Sequence, residues 1–256
     1  MEAVHVIDRS FVLLPGVGAR TERSFWSQGI ENWHQLVGAD RIEGVSARRL
    51  KELKEFSEKV IDLISSGRGR ELGALLPERE RWRLLGDWND WCASMDAEAV
   101  RSGGSFIPVV VSLRRGFRGT ETFVRGDDLC WRALDERLIG VDFLVTFNGS
   151  SFDLPMLESN GFRLTCPVHI DLRRYCPRAR LRGGLKEIER QIGIRRPREL
   201  EFATSEQVSY LWRLWERHGN RNALDLLIRY NRQDADSLLQ IAEHVYDRLA
   251  EEAMRA

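Results

Sequence analysis

Residues 144–157 read LVTFNGSSFDLPML. Leu144 to Phe147 is an apolar run rich in strand-favouring residues, and it breaks at Asn148 and Gly149, two turn formers. Asp153 follows at the head of a new apolar segment, a place where a carboxylate caps a helix. The expected order is a buried strand over 142–147, a tight loop, and a helix over 152–158. A side chain just past the C-terminal end of such a strand lies where ligand and catalytic groups gather in α/β sheets. Asp153 is thus a helix cap, a functional carboxylate, or both.

Upstream, residues 94–99, 106–113 and 121–124 read as strands, and 127–139 as a helix with an acidic first turn. Downstream, the C-terminal third reads as mostly helical, with a last helix over 222–249. Three strands, a helix, a further strand and then helices predict an α/β fold, a mixed sheet with helices packed on it. On the last helix Tyr230, Asp234, Leu238, Ile241 and Val245 share one stripe. A carboxylate on a core-facing stripe needs a partner, because burying it alone is costly. For Asp234 that partner is an Arg or a metal ion. Asp236, about 200° around the helix, is expected to face solvent.

Asp96 and Glu98 are two apart on the first strand, so they share a face. They are either a solvent-facing pair on an edge strand or a pair of ligands whose repulsion a divalent cation relieves. Asp96, Glu98, Asp153 and Asp234 converging on one point would suit two Mg²⁺ or Mn²⁺ ions, hard cations that take oxygen ligands. Such ions activate water and stabilise the leaving oxygen of a phosphodiester.

The N-terminal part has a different character. A Gly16-Val17-Gly18 turn precedes a short helix holding Phe25 and Trp26, and Gly29 suits its C-cap. A second short helix carries Trp33 and Leu36. A longer one starts at Ser46, carries Leu50, Leu53, Phe56, Val60 and Leu63, and stops at Gly67. The expected domains are a helical one over 1–66, a linker over 67–86 with some apolar anchors, and the α/β domain over 87–256.

The chain has 256 residues, with 39 basic and 39 acidic side chains and 43% hydrophobic residues. That composition excludes a disordered chain. The longest apolar runs fall short of the ~18 residues a membrane span needs. Zero net charge excludes attraction to nucleic acid by bulk positive charge. All but four of the basic residues are Arg, which forms planar bidentate contacts with phosphate. Codon bias accounts for the same excess. Cys92, Cys130, Cys166 and Cys176 include no C-x-x-C pair, so a cysteine zinc site and a disulfide framework are not expected. Four mostly buried thiols in a reducing cytoplasm are expected, and residues 1–10 lack the basic n-region of a secretory signal.

Asp96-x-Glu98, the FNGSSFDLPML segment with Asp153, and Tyr230-x-x-x-Asp234 resemble the three exonuclease motifs of the DEDD group in the ribonuclease H-like superfamily. Tyr230, four residues before Asp234, resembles the DEDDy branch. Asn148-Gly149-Ser150-Ser151-Phe152-Asp153-Leu154-Pro155 and Tyr230-Asn231-Arg232-Gln233-Asp234 resemble the predicted exonuclease family typified by the bacterial protein YprB, as do His169 to Leu172 and Leu185 to Glu189. The resemblance covers residues 88–245. Ala97 and Ala99 stand where that family's first motif commonly reads D-I-E-T.

The resemblance implies a ribonuclease H-like fold and a 3′–5′ exonuclease acting on DNA or RNA with a single-stranded 3′ end, releasing nucleoside 5′-monophosphates. It implies Asp96, Glu98, Asp153 and Asp234 as ligands of two Mg²⁺ or Mn²⁺ ions. Asp96 would touch both ions, and Glu98 and Asp234 would complete the nucleophile-side ion. Asp153 would hold the second, and Tyr230 would orient the attacking water. Asn148 in the second motif would meet the strand, and the Arg-rich stretch with Arg173, Arg174, Arg178, Arg180 and Arg182 either lines a substrate groove or is a solvated surface. Leu14-Pro15-Gly16-Val17-Gly18 separately resembles a helix-hairpin-helix turn, which would bring Gly16 and Gly18 backbone N–H groups and Arg20 to a phosphate. The same turn would serve equally in a helical domain that touches protein only. The other functional readings are a nucleic-acid-binding protein whose fold is retained but idle, and a protein-interaction module.

Overall fold

The structure is a computed structural model that describes residues 5–86, 91–116, 118–165, 168–201 and 204–255. Cys166 lies outside these. The chain divides into two compact units, Met1–Asp87 with Tyr246–Ala256, and Trp88–Val245.

In the first unit, two 3₁₀ turns (Val6–Arg9 and Phe11–Leu13) lead into α1 (Ala19–Ser27), α2 (Trp33–Gly38) and α3 (Ala47–Ser65). Asn32 and Ser46 cap α2 and α3 by accepting from the N–H groups of Gln35 and Arg49. Phe11, Phe25 and Trp33 meet edge to face in its core, with centroids 5.6 and 5.2 Å apart. Residues 67–86, expected as a linker, are instead folded into this unit as α4 (Gly69–Leu75) and a 3₁₀ helix (Glu78–Leu84). The reason is apolar content: Leu72, Leu76, Trp82, Leu84 and Leu85 are all buried, each worth roughly 1.5–3 kcal/mol out of water.

The second unit holds a five-stranded sheet: β1 (Cys92–Ser102), β2 (Ser105–Arg115), β3 (Thr120–Val124), β4 (Phe143–Thr146) and β5 (Val168–Asp171). The spatial order is β3-β2-β1-β4-β5. β1 pairs antiparallel with β2 and parallel with β4, and β4 is parallel to β5. β1 is therefore central, with a register shift between Glu98 and Ala99. β5 was not expected among the helices, because four residues closing on a polar Asp give little periodicity to read.

Period two divides β1. Ala93, Met95 and Ala97 join Val111, Leu113 and Leu144 in a core covered by α5 (Trp131–Leu138) and α6 (Asp153–Ser159). Ser94, Asp96 and Glu98 face the other way. α5 starts four residues later than expected. Asp128 is drawn back into the preceding turn, where its carboxylate accepts from the Val124 N–H at 2.7 Å.

Short α7 (Leu172–Tyr175), α8 (Leu185–Gln191) and α9 (Arg198–Glu201) follow β5, and α10 (Ser205–His218) and α11 (Arg221–Arg255) end the chain. Val208 and Trp212 of α10 and Leu224 and Leu227 of α11 bury Val109, Val110 and Val124 of the sheet. Gly219, with φ of 62°, turns α10 into α11. Leu238, Ile241 and Val245 are fully buried, as their stripe predicts. Asp236 departs from expectation: Arg114 pairs with it at 3.1 Å and the Thr120 hydroxyl donates to it, because those strand ends come within its reach. Of the described cysteines, Cys92 and Cys176 are buried, as expected, and Cys130 is exposed at the N-cap of α5. Among the described residues no helix is long and apolar enough to cross a membrane.

Candidate active site

β1 and α11 carry most of the site. The Ser94 hydroxyl donates to the Ala235 carbonyl at 2.7 Å, which fixes α11 over the polar face of the strand. This brings Asp234 to Asp96 and Glu98, and one carboxylate oxygen from each of the three lies within 4.8 Å of the others. Asn231 donates to Asp96 at 2.7 Å. Asp153, buried at the start of α6, is a close electrostatic neighbour of Asp96 and Glu98 but stands outside that tight trio.

The loop between β4 and α6 is held from β5. Asp171 accepts from the Asn148 N–H at 2.7 Å, from the Ser150 N–H at 3.1 Å and from the Ser150 hydroxyl. Asn148 takes a left-handed φ of 66°, which Asn tolerates better than most residues. A Cβ at Gly149 would run into Thr146 Oγ1, so only glycine fits there.

The carboxylates are under strong mutual repulsion. Burial first, then Asp234, Asp153 and Glu98, hold Asp96 well above the usual carboxylate range. Burial, then Asp234 and Asp153, do the same to Glu98. Burial pushes Asp153 up to about 7 and Asp234 up to about 6, with Arg196 pulling the latter back. Tyr230 is raised by burial and then by Asp234 and Glu98, so its phenol stays neutral. Asp171 is the exception. Burial works to raise it, but the hydrogen bonds from Ser150, Asn148 and Arg173 outweigh burial and keep it below the usual range.

Two cations, Arg196 and Lys186, stand at the site. Arg196 pairs with Glu189, its Nη2 donating to Oε1 at 2.7 Å, and also with Asp234. Lys186 Nζ lies 4.9 Å from the Tyr230 ring centroid, and the Arg196 guanidinium lies 5.5 Å from it. Both alternatives for Asp234 thus meet in one side chain: it pairs with an Arg and joins an oxygen-rich trio.

The donor set suits a hard divalent cation. The trio offers carboxylate oxygens alone, with like charges that a cation would relieve, and the buried Asn231 Oδ1 beside Asp96 has no hydrogen-bond partner among the described residues.

None of the other expected contact residues is a member of the trio. Arg178 and Arg180 are exposed after α7, Arg180 with a φ of 63°. Asn148 Oδ1 accepts from Arg173 at 2.7 Å, so this side chain braces its loop. Gly16, Gly18 and Arg20 belong to the first unit. Gly16 has a φ of 73°, Gly18 is the N-cap of α1 and Arg20 is exposed in its first turn. Asp171, Glu189 and Arg196 were missed from sequence. Asp171 closes a strand too short to show its period, and the Glu189–Arg196 pair spans a loop and leaves no signal.

Residues 120–246 match the family model described as the RNase H superfamily. The match falls almost wholly in the second unit, a mixed five-stranded sheet flanked by helices. The match starts after β1, so Asp96 and Glu98 lie outside it, while Asp153, Tyr230 and Asp234 lie within. Among solved structures, a family B DNA polymerase from the hyperthermophilic archaeon Pyrobaculum calidifontis is similar at a TM-score of 0.45 and 15% identity, over 64% of this chain and 24% of that one. The chain spans about a quarter of that polymerase. No curated protein matches the chain.

Proposed function

We propose that the ribonuclease H-like unit is a metal-dependent nuclease of the DEDDy type, a 3′–5′ exonuclease acting in the cytoplasm on DNA or RNA with a single-stranded 3′ end. The observation that carries this reading is the convergence of Asp96, Glu98 and Asp234 within 4.8 Å, with Tyr230 one helical turn before Asp234. The trio would hold one Mg²⁺ or Mn²⁺, and Asp153 with Asp96 a second. Such ions supply Lewis-acid stabilisation of the phosphodiester and an acidified water. Tyr230, kept neutral by its surroundings, orients that water by hydrogen bonding. Asp171 holds the Asn148–Ser151 loop and so sets where Asp153 enters. Water adds to phosphorus and the bond to the 3′ oxygen breaks, releasing a nucleoside 5′-monophosphate. In the first unit, the Gly16-Val17-Gly18 turn and Arg20 serve as a helix-hairpin-helix-like phosphate contact.

A second reading draws on the Arg196–Asp234 pair, which neutralises one carboxylate without a metal ion, and on Ala97 and Ala99 in the first motif. It makes the chain a nucleic-acid binder with an idle fold. End-labelled single- and double-stranded DNA and RNA incubated with Mn²⁺ or Mg²⁺ separate the two. Stepwise shortening that disappears in Asp153→Ala and in Asp234→Ala supports the nuclease. Tight binding with no shortening of any substrate supports the binder. Shortening unchanged in both variants overturns the site assignment.

A further inference from the structure

Arg196 directs Nε and Nη2 at carboxylates, while Nη1 is buried without a hydrogen-bond partner among the described residues. A buried donor with no acceptor is rare and marks a place where an acceptor fits. Its side chain is only 3% exposed, so bulk water is a poor substitute. Arg196 also forms part of the wall of a cavity of about 350 Å³, within the range of small-ligand sites. The charged groups around this cavity are Lys186, Arg190, Arg195 and Arg196, against Glu189 and Glu201. Arg196 neutralises Glu189, and Arg190 shares its charge with Glu187 at 3.1 Å. Arg195 is exposed and makes no ion pair among the described residues. The cavity is therefore net basic, and it shares Lys186 and Arg196 with the surroundings of Tyr230 and Asp234.

A polyanionic strand that approaches four crowded carboxylates is repelled unless cations flank them. We propose that this cavity is a phosphate subsite, holding a backbone phosphate of the bound strand away from the reacting one. Arg195 and Arg190 contact the phosphate at the rim, and the charge of Arg196 lies in the wall beneath it. Planar guanidinium groups suit phosphate oxygens better than a lysine would. The identity of the ligand as a strand rests on the nuclease reading; the basic cavity and the buried orphan donor do not.

The test is fluorescence anisotropy of a labelled single-stranded oligonucleotide with phosphorothioate linkages, in Ca²⁺, over a salt series. The native chain is compared with Arg190→Ala/Arg195→Ala, both exposed positions, with circular dichroism as the check on folding. The variant should bind about tenfold more weakly whatever the base sequence, and its log–log salt slope should fall by about 0.7–1, the share of one phosphate. Its Mn²⁺ binding, read by electron paramagnetic resonance, should not change. Equal affinity and slope in the two chains overturn the subsite, and so does a native chain that binds no oligonucleotide. If inorganic phosphate or a nucleoside monophosphate binds the native chain but not the variant, while oligonucleotide binding stays equal, the ligand is a free phosphate and the strand claim falls. A weakened, flatter-sloped variant of a chain that degrades nothing leaves the subsite standing and removes only the nuclease reading.

Discussion

Each unit buries carboxylates beside an arginine, and the two clusters are balanced differently. In the first unit Arg83 donates to Glu80 at 3.0 Å, to Glu22 at 2.8 and 3.1 Å, and to the Ser10 hydroxyl at 3.0 Å. The Val12 N–H and the Trp82 indole supply further donors to Glu22 and Glu80. Every nitrogen of Arg83 has a partner. Glu22 still sits above its ordinary value, because burial outweighs the pull of Arg83. In the second unit Arg196 faces Glu189 and Asp234, with Asp96, Glu98 and Asp153 close behind, and Arg196 Nη1 and Asn231 Oδ1 have no hydrogen-bond partner among the described residues. A satisfied network fixes a fold. A crowded one with unused donors and acceptors invites charged ligands.

The comparison can be broken at either cluster. Asp234→Asn should lower Mn²⁺-dependent cleavage by more than about 100-fold, beyond the loss typical of groups that only support a ligand, while urea denaturation shows the fold retained. Arg83→Met should do the opposite. It strands two buried carboxylates and should cost about 3–5 kcal/mol of stability in the same denaturation experiment, with Mn²⁺ binding unchanged. A smaller effect is expected at Asp171→Asn, where the loop loses its anionic acceptor: turnover should fall about tenfold with Mn²⁺ affinity preserved.

The smallest effect is in pH. Asp153 and Asp234 titrate near 7 and 6 in the folded chain, against an ordinary value of 3.8. A raised carboxylate pKa contributes stability that is complete below about 3.8 and is lost as pH climbs through 6 to 7. The metal-free chain should therefore melt at least about 2–4 °C lower at pH 8 than at pH 5, and saturating Mn²⁺ should flatten that slope. A metal-free chain that is more stable at pH 8 would contradict the electrostatics of the site.

Much of this contrast was legible in the sequence, on one side only. Apolar runs and turn formers located β1 to β4, and a 3.6-residue stripe placed Tyr230 and Asp234 on the inner face of α11. Asp96 and Glu98 share a face because strands have period two. Nothing in the sequence told that face from a solvated one until the Ser94–Ala235 bond set α11 above it. Residues 67–86 misled because a run rich in Arg and Glu looks solvated. Yet Glu80 and Arg83 are buried with each other and with Glu22, 61 residues away from Arg83. Glu189 and Arg196 were hidden for the same reason, since ion pairs across loops follow tertiary contact and leave no period.

On the proposed function the crowded cluster, and not the balanced one, takes a divalent cation. Mn²⁺ titrated into the metal-free native chain, Asp234→Asn and Arg83→Met, with free Mn²⁺ followed by electron paramagnetic resonance, tests it directly. The native chain should bind Mn²⁺ saturably, and binding should be retained in Arg83→Met and lost in Asp234→Asn. Equal Mn²⁺ binding by the native chain and Asp234→Asn would contradict it.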